Sequence, residues 1–129
     1  FSPPEIVTAM LPKMTLRSLT RKTITDRADF SRELDAIRAK GFAWSDEELS
    51  IGNLSVAAPI CDRRGHALAA VNVGTSTEDY TLPRLIDTAA PQVIETARQA
   101  VAEAEAAAAA RAAAEAQAAA AKPRGGRRR

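Results

Sequence analysis

The strongest pattern in the chain is a pair of apolar, strand-like stretches separated by a turn signal. Residues 53–61 and 66–74 are rich in Val and Ala, and the turn between them reads Asp-Arg-Arg-Gly. Side chains alternate between the two faces of a strand. A hairpin with a two-residue loop therefore has one wholly apolar face, which we expect to pack on the core. Its pairs are Leu54 with Val73, Val56 with Val71, Ala58 with Ala69 and Ile60 with Ala67.

The other face of this predicted hairpin carries small side chains that leave room above the sheet. Ser55 is predicted to lie opposite Asn72, so that a hydroxyl and an amide converge there. We interpret this face as half of a small-molecule pocket, with a plain solvated face as the alternative. A bulge at Gly65 would shift the pairing by one residue. The other predicted pairs on this face are Asn53 with Gly74, Ala57 with Ala70, Pro59 with Leu68 and Cys61 with His66.

Helical signals lie on both sides of the hairpin. Ser-Pro-Pro-Glu at residues 2–5 fits a capping box, and predicts a short helix from about Pro3 to Ala9 or Met10. An apolar stripe of Phe30, Leu34 and Ile37 predicts a second helix, capped by Thr25 or Asp26 and ended by Gly41. The β-branched residues 20–25 are compatible with a short strand, and residues 42–48 form another candidate strand.

A third helix should begin near Thr81 and cover the apolar face of the hairpin, with Pro91 kinking or splitting it. From residue 102 to 121 the chain is mostly Ala, which favours helix but buries little. Residues 122–129 are basic and are expected to be disordered. The expected organisation is therefore a domain over 1–99, an Ala-rich helical extension over 100–121 and a tail over 122–129.

The formal net charge of +2 comes from the tail, which holds five basic residues and no acid. The remainder is therefore net −3, which argues against a DNA-binding surface on the domain. No apolar run is long enough to span a bilayer. Cys61 is the single cysteine, which excludes an internal disulfide and fits a reducing, cytoplasmic compartment. The chain starts at Phe1 without Met, and we expect it to be a piece of a longer protein.

Candidate catalytic groups are few. Residues 46–48 read Asp-Glu-Glu, and an acid there is expected to accept backbone N–H groups rather than act in acid/base chemistry. Cys61 and His66 could face each other as a thiol–imidazole pair, but no third orienting group is evident. With no further ligands they also make no zinc site. We expect no catalytic residue, metal or cofactor. The main alternative function is a structural or interaction module whose basic tail binds nucleic acid non-specifically.

Four segments together resemble the effector-binding domain of IclR-family transcriptional regulators. They are LTRKTITD at 19–26, LDAIRAKGFAWSDEELSIG at 34–52, LSVAAPICDRRGHALAAVNV at 54–73 and TAAPQVIETA at 88–97. The Asp-Glu-Glu-Leu run and the Asn-Val ending of the second strand look closest to the branch that regulates aromatic catabolism, the PcaR, PcaU and PobR type. The resemblance implies an α+β, GAF-like fold, in which an antiparallel sheet is flanked by helices and binds the effector on one face. The chain would hold the C-terminal part of that domain.

The resemblance also implies an effector site at Ser45, Asn53, Ser55, Asn72 and Gly74. The implied ligand is a small organic acid, such as an aromatic acid of the β-ketoadipate pathway or a dicarboxylate. Ser45 stands where some members have an acid, Asn53 where an apolar residue is common and Gly74 where a Ser is common. The implied partners are DNA, bound through an N-terminal winged helix-turn-helix that this sequence lacks, and further subunits in a homodimer or homotetramer. Effector binding would change DNA affinity by shifting the population of domain or subunit arrangements.

Overall fold

A computed structural model describes residues 1–121, with side chains through residue 117. In these residues two α-helices and a short 3₁₀ turn precede a three-stranded antiparallel sheet, and one long helix follows it. The sheet has the order β1-β2-β3, so β2 is central. This α+β architecture agrees with the sequence-based expectation. The elements are α1 (Pro4–Met10), a 3₁₀ turn (Leu11–Lys13), α2 (Arg27–Lys40), β1 (Ala43–Asp46), β2 (Asn53–Cys61), β3 (Ala67–Ser76) and α3 (Leu82–Ala121).

The core forms between the apolar face of β2 and one stripe of α3. Alternate residues of β2 are almost completely buried, as the hairpin pattern predicted. They contact α3 residues spaced three to four positions apart, which is the spacing of one helix face. Trp44 and Val71 of the flanking strands pack against the edge of this cluster. The buried members are Leu54, Val56, Ala58, Leu85, Ala89, Val93 and Ala97.

The hairpin register differs from the prediction by two residues, yet each residue keeps its predicted face in the body of the sheet. Asp62 N–H donates to the carbonyl of His66 at 2.9 Å, so Gly65, with φ of 80°, is an additional turn residue. A second irregularity leaves Leu68 without a cross-strand partner. Each extra residue shifts the pairing by one position, and two shifts restore the original alternation of faces.

The ends of α2 follow its sequence signals, whereas the start of α1 does not. The Asp26 carboxylate accepts the N–H groups of Ala28 and Asp29 at 2.8 and 2.9 Å, and Gly41 closes the helix at φ of 81°. The capping box predicted for α1 is wrong. Its N-cap is Pro3, whose side chain accepts no hydrogen bond, and Ser2 lies one residue too early.

The predicted strand over residues 20–25 is also wrong, because hydroxyl groups hold this segment against a loop. The hydroxyl of Thr20 donates to the Glu47 carbonyl at 2.8 Å, and that of Thr23 donates to the Glu48 carbonyl at 2.6 Å. Lys22 lies between the Asp46 and Glu47 carboxylates at 2.9 and 2.6 Å. We call these contacts the threonine–lysine clasp.

The third helix runs from Leu82 to Ala121 as one element that includes Pro91, so the predicted split does not occur. The Ala-rich segment is helical, as expected. It contacts the hairpin turn, where the guanidinium of Arg63 donates to both oxygens of Glu105 at 2.6 and 3.0 Å. Between residues 1 and 121, no helix is long and apolar enough to cross a membrane. The predicted disordered tail, 122–129, lies outside the described residues.

Replacing Leu85 by Ala should test the importance of the α3–β2 contact. Leu85 is 2% exposed, so truncation leaves a cavity and should lower the free energy of unfolding by about 2–5 kcal/mol. Leu49→Ala is the matched control, because Leu49 is 70% exposed and its loss should cost less than about 0.5 kcal/mol. Urea titration followed by circular dichroism measures both. Equal effects would contradict this description of the core.

The clasp should make stability depend on pH through Glu47. The hydrogen bond from Lys22, together with the Gly52 N–H donated to its other oxygen at 2.8 Å, lowers the pKa of Glu47 below its ordinary value near 4.5. A carboxylate with a lowered folded pKa contributes stability above its unfolded pKa, and this is lost as pH falls through the folded pKa. Glu47→Gln should therefore reduce the loss of thermal stability below pH 4.5.

The control for this pH dependence is Glu78→Gln, in the exposed turn after β3. It should leave the melting temperature profile between neutral and acidic pH close to that of the unmodified chain. Identical acid limbs for Glu47→Gln and the unmodified chain would contradict the linkage.

Candidate functional site

All five residues of the predicted effector site lie on one face of the sheet. Ser45, Ser55 and Gly74 pair directly and form a row across the three strands. Asn53 and Asn72 lie two residues away along β2 and β3, and so share that face. The neighbouring residues Leu54 and Val56 point the other way, into the α3 core. The candidate site is therefore the sheet face that turns away from α3.

One detail of the predicted geometry needs correction. Ser55 is paired with Gly74 rather than with Asn72, and Asn72 is opposite Ala57. The two side chains are diagonal neighbours on the same face, whose separation is typically about 7–8 Å. The additional turn residue Gly65 and the irregularity at Leu68 cause this change, since together they move β3 by two residues relative to β2. The hydroxyl of Ser55 and the amide of Asn72 are therefore offset along the strands instead of directly opposite each other.

Ala43 and Ala57 are two further small residues on this face, and neither was predicted as a site residue from the sequence. Ala43 pairs with Ala57, which pairs with Asn72, so this row runs parallel to the Ser45–Ser55 row. The centre of this face therefore carries only methyl groups and backbone. We call these two rows the floor, and include in it Asn53, which lies next to Ser55 on the same face of β2: the rows are Ala43–Ala57–Asn72 and Ser45–Ser55–Gly74. The alternation of β1 places Ala43 on the same face as Ser45, but the sequence does not show how β1 pairs with β2.

The polar groups of the floor are available to a ligand. Asn53, Asn72 and Gly74 are exposed, and Ser45 and Ser55 are partly buried. Among residues 1–117, the side chains of Ser45, Ser55 and Asn72 form no hydrogen bond with the protein. Ser76, on the same face beside Asn53, differs in this respect. Its hydroxyl accepts the Glu78 N–H at 3.0 Å and stabilises the turn before α3.

The rival thiol–imidazole pair is not assembled. Cys61 pairs with Ala67, so the predicted Cys61–His66 pairing is wrong, and His66 lies across from Asp62 in the turn. The Asp62 carboxylate accepts the N–H groups of His66 and Arg64 at 2.9 and 2.8 Å, which hold the pKa of Asp62 below its ordinary value. Asp62 therefore stabilises the turn.

The acidic run also has a structural use. The Glu47 carboxylate accepts the Gly52 N–H across the loop between β1 and β2, as expected for an acid at a strand end. Its φ of 56° is rare for a residue with a side chain, and the clasp holds it there. Desolvation raises the pKa of Glu48, and the nearby Glu33 adds to this shift. In the part of the chain with described side chains, no group of three His, Cys, Asp or Glu residues could hold a metal ion.

Comparison with known proteins gives a consistent family. The model for "Bacterial transcriptional regulator IclR C-terminal" matches residues 1–102. The p-hydroxybenzoate hydroxylase transcriptional activator of Acinetobacter baylyi is 33% identical over 95 residues, which are 74% of this chain and 35% of that protein. The regulator BhcR of Paracoccus denitrificans is 39% identical over 90 residues, covering 70% of this chain and 32% of that protein. The chain thus spans about a third of the length of these curated relatives.

Solved structures agree in fold. A transcriptional regulator from Rhodococcus sp. RHA1 superposes with a TM-score of 0.73 at 35% identity, covering 77% of this chain and 40% of that one. The inducer-binding domain of PobR from Acinetobacter, a double mutant in complex with 3-hydroxybenzoic acid, gives 0.70 at 31% identity. That match covers 77% of this chain and 58% of the PobR domain. The chain belongs to the IclR family of bacterial transcriptional regulators, and it matches the family's C-terminal domain.

Proposed function

We propose that the floor binds a small organic acid and that the chain is the effector-sensing part of a transcriptional regulator. The observation that supports this most is the position of Ser45, Ser55 and Asn72 on one sheet face with unused hydrogen-bonding groups. A single hydroxyl or amide on a solvated surface would not indicate a ligand, because water can satisfy its hydrogen bonds. Three of them around a methyl-lined centre offer both polar contacts and a flat apolar contact to one ligand.

The geometry favours a planar ligand with polar groups at both ends. The serine hydroxyls can donate to a carboxylate, and the amide of Asn72 can donate to or accept from a second polar substituent. The diagonal separation of Ser55 and Asn72, about 7–8 Å between backbone positions, leaves space for a six-membered ring between them. Ala57 and Gly74 present little more than backbone beneath such a ring.

The relatives support the aromatic class of organic acid. One is named for p-hydroxybenzoate hydroxylase, another is the Pca operon regulatory protein of Acinetobacter baylyi at 35% identity, and the PobR structure contains 3-hydroxybenzoic acid. We propose a hydroxylated benzoic acid before an aliphatic dicarboxylate. The departures at Ser45, Asn53 and Gly74 lie on this floor and would alter which substituents are accepted.

In the whole regulator we propose that effector binding shifts the population of two arrangements. Only an effector with different affinity for the two can do so, and a typical coupling energy is about 1–3 kcal/mol. DNA would be bound by a winged helix-turn-helix module outside this sequence, in a cytoplasmic homodimer or homotetramer, without catalysis. We further propose the division into a domain at 1–99, an extension at 100–121 and a tail at 122–129. The family match over 1–102 supports the first boundary.

Removing the polar groups of the floor should weaken binding without unfolding the chain. A hydrogen bond to a charged group contributes about 1.5–3 kcal/mol, so Ser55→Ala should weaken binding of a hydroxybenzoate roughly 10- to 100-fold. Asn72→Ala should weaken it further in combination. Isothermal titration calorimetry with 3- and 4-hydroxybenzoate and with adipate measures the series. Ser50→Ala, in the exposed loop before β2, is the matched control, and unchanged affinity in the double variant would refute the assignment.

Filling the centre of the floor should exclude a ring by volume alone. Ala57→Leu places a larger side chain between Ser55 and Asn72 and should abolish measurable hydroxybenzoate binding, because the ring can no longer contact the floor. Ala106→Leu makes the same change on an exposed position of α3 and should bind normally. Binding retained by a folded Ala57→Leu variant would show that the ligand lies elsewhere.

A further inference from the structure

Glu47 joins the end of β1 to the central strand. β2 is held by the core through Leu54, which is 1% exposed, so this strand has a fixed position. β1 has only four residues, fewer than the usual five or six, and Glu47 follows it directly. The Glu47 N–H donates to the Asn53 carbonyl at 2.8 Å and extends the pairing of the two strands. The position of Ser45 on the floor, two residues before Glu47, therefore depends on how Glu47 is held.

The backbone of Glu47 has a disfavoured conformation that its surroundings maintain. Its φ of 56° lies in the left-handed region, which residues with a side chain rarely adopt. Such a conformation persists only where several contacts hold it. The carboxylate accepts hydrogen bonds from the ammonium group of Lys22 at 2.6 Å and from the N–H of Gly52 at 2.8 Å. These contacts fix the side chain of Glu47, and its carbonyl is held by another segment.

Two threonine hydroxyls hold the backbone at this point. Thr20 donates to the Glu47 carbonyl at 2.8 Å, and Thr23 donates to the next carbonyl, that of Glu48, at 2.6 Å. Each hydroxyl oxygen also accepts a backbone N–H from its own turn, Thr20 from Lys22 at 3.1 Å and Thr23 from Thr20 at 2.9 Å. A hydroxyl has one proton to donate, so these contacts determine the direction of both O–H groups. The turn thus holds two consecutive carbonyls of the loop in place.

We propose that Thr20 and Thr23 are positioning residues for effector binding, an inference that rests on the proposed function of the floor. They fix Glu47, and through it Ser45, without contacting the effector, because their hydroxyl groups are already used within the protein. Removing one hydroxyl leaves a loop carbonyl without its donor and lets Glu47 leave the left-handed region. The Ser45 hydroxyl then occupies a range of positions, whereas a binding site needs its groups held within about 0.5 Å. Effector affinity therefore depends on residues outside the floor.

Replacing a hydroxyl by a methyl group tests this role. Thr23→Val keeps the shape of the side chain and should weaken binding of 3-hydroxybenzoate by the full chain roughly threefold to tenfold in isothermal titration calorimetry. Thr20→Val makes the same change at the other hydroxyl and should act in the same direction. Thr23→Ser keeps the hydroxyl and should bind within about twofold of the unmodified chain. Thr88→Val is the matched control and should bind normally, because the Thr88 hydroxyl donates to the Arg84 carbonyl at 2.7 Å within α3.

A double-mutant cycle separates positioning from a general loss of stability. In a Ser45→Ala background the positioned hydroxyl is absent, so Thr23→Val should then weaken binding less than about twofold. An equal loss in both backgrounds would contradict action through Ser45. Unchanged affinity in folded Thr23→Val and Thr20→Val variants would overturn this inference and leave the proposed function intact. Absence of binding by the unmodified chain would instead overturn the proposed function, and this inference with it.

Amide hydrogen exchange tests the positioning without a ligand. The Glu47 N–H should exchange about tenfold faster in the Thr23→Val variant, because the loop opens more readily once a carbonyl has lost its donor. The Val93 N–H should be affected less, since Val93 lies in the buried stripe of α3. Equal acceleration at both positions, or none at Glu47, would overturn the proposal.

Discussion

The contact between the central strand and the long helix determines the rest of this structure. Leu54 and Val56 are almost completely excluded from water against Leu85 and Val93. Because side chains of a strand alternate, burying one face of β2 in this way necessarily turns Ser55 and Ala57 to the other side. The core and the candidate site are therefore two consequences of one alternating sequence. A one-residue change in the register of β2 would alter both together.

The remaining contacts hold this sheet in place without adding much apolar burial. The threonine–lysine clasp fixes the loop between β1 and β2, and thereby the register of Ser45 against Ser55. The pair Arg63–Glu105 joins the far end of the hairpin to the helical extension. These polar contacts are partly exposed, so they orient segments more than they stabilise the fold. The floor between them carries only small side chains at its central positions.

In the described residues the candidate site consists of a single sheet face. The matched PobR inducer-binding domain is longer than this chain, which covers 58% of it. Exposure increases from β1 to β3 on the site face, where Ala43 and Ser45 are partly buried and Asn72 and Gly74 are exposed.

The sequence alone determined the local features of this protein, namely the alternation of β2, the caps of α2 and the helical character of the Ala-rich segment. Each depends on residues close together in the chain, so periodicity and capping chemistry suffice to predict it. It also determined which residues share a face, because two successive shifts of one residue cancel. Only the tertiary structure decided that Ser55 and Asn72 are diagonal, that residues 20–25 are a clasp and that Cys61 and His66 are apart. Those outcomes depend on irregularities in the hairpin and on hydroxyl contacts between segments distant in sequence. A local sequence pattern does not reveal them, because the alternative registers and contacts differ little in free energy.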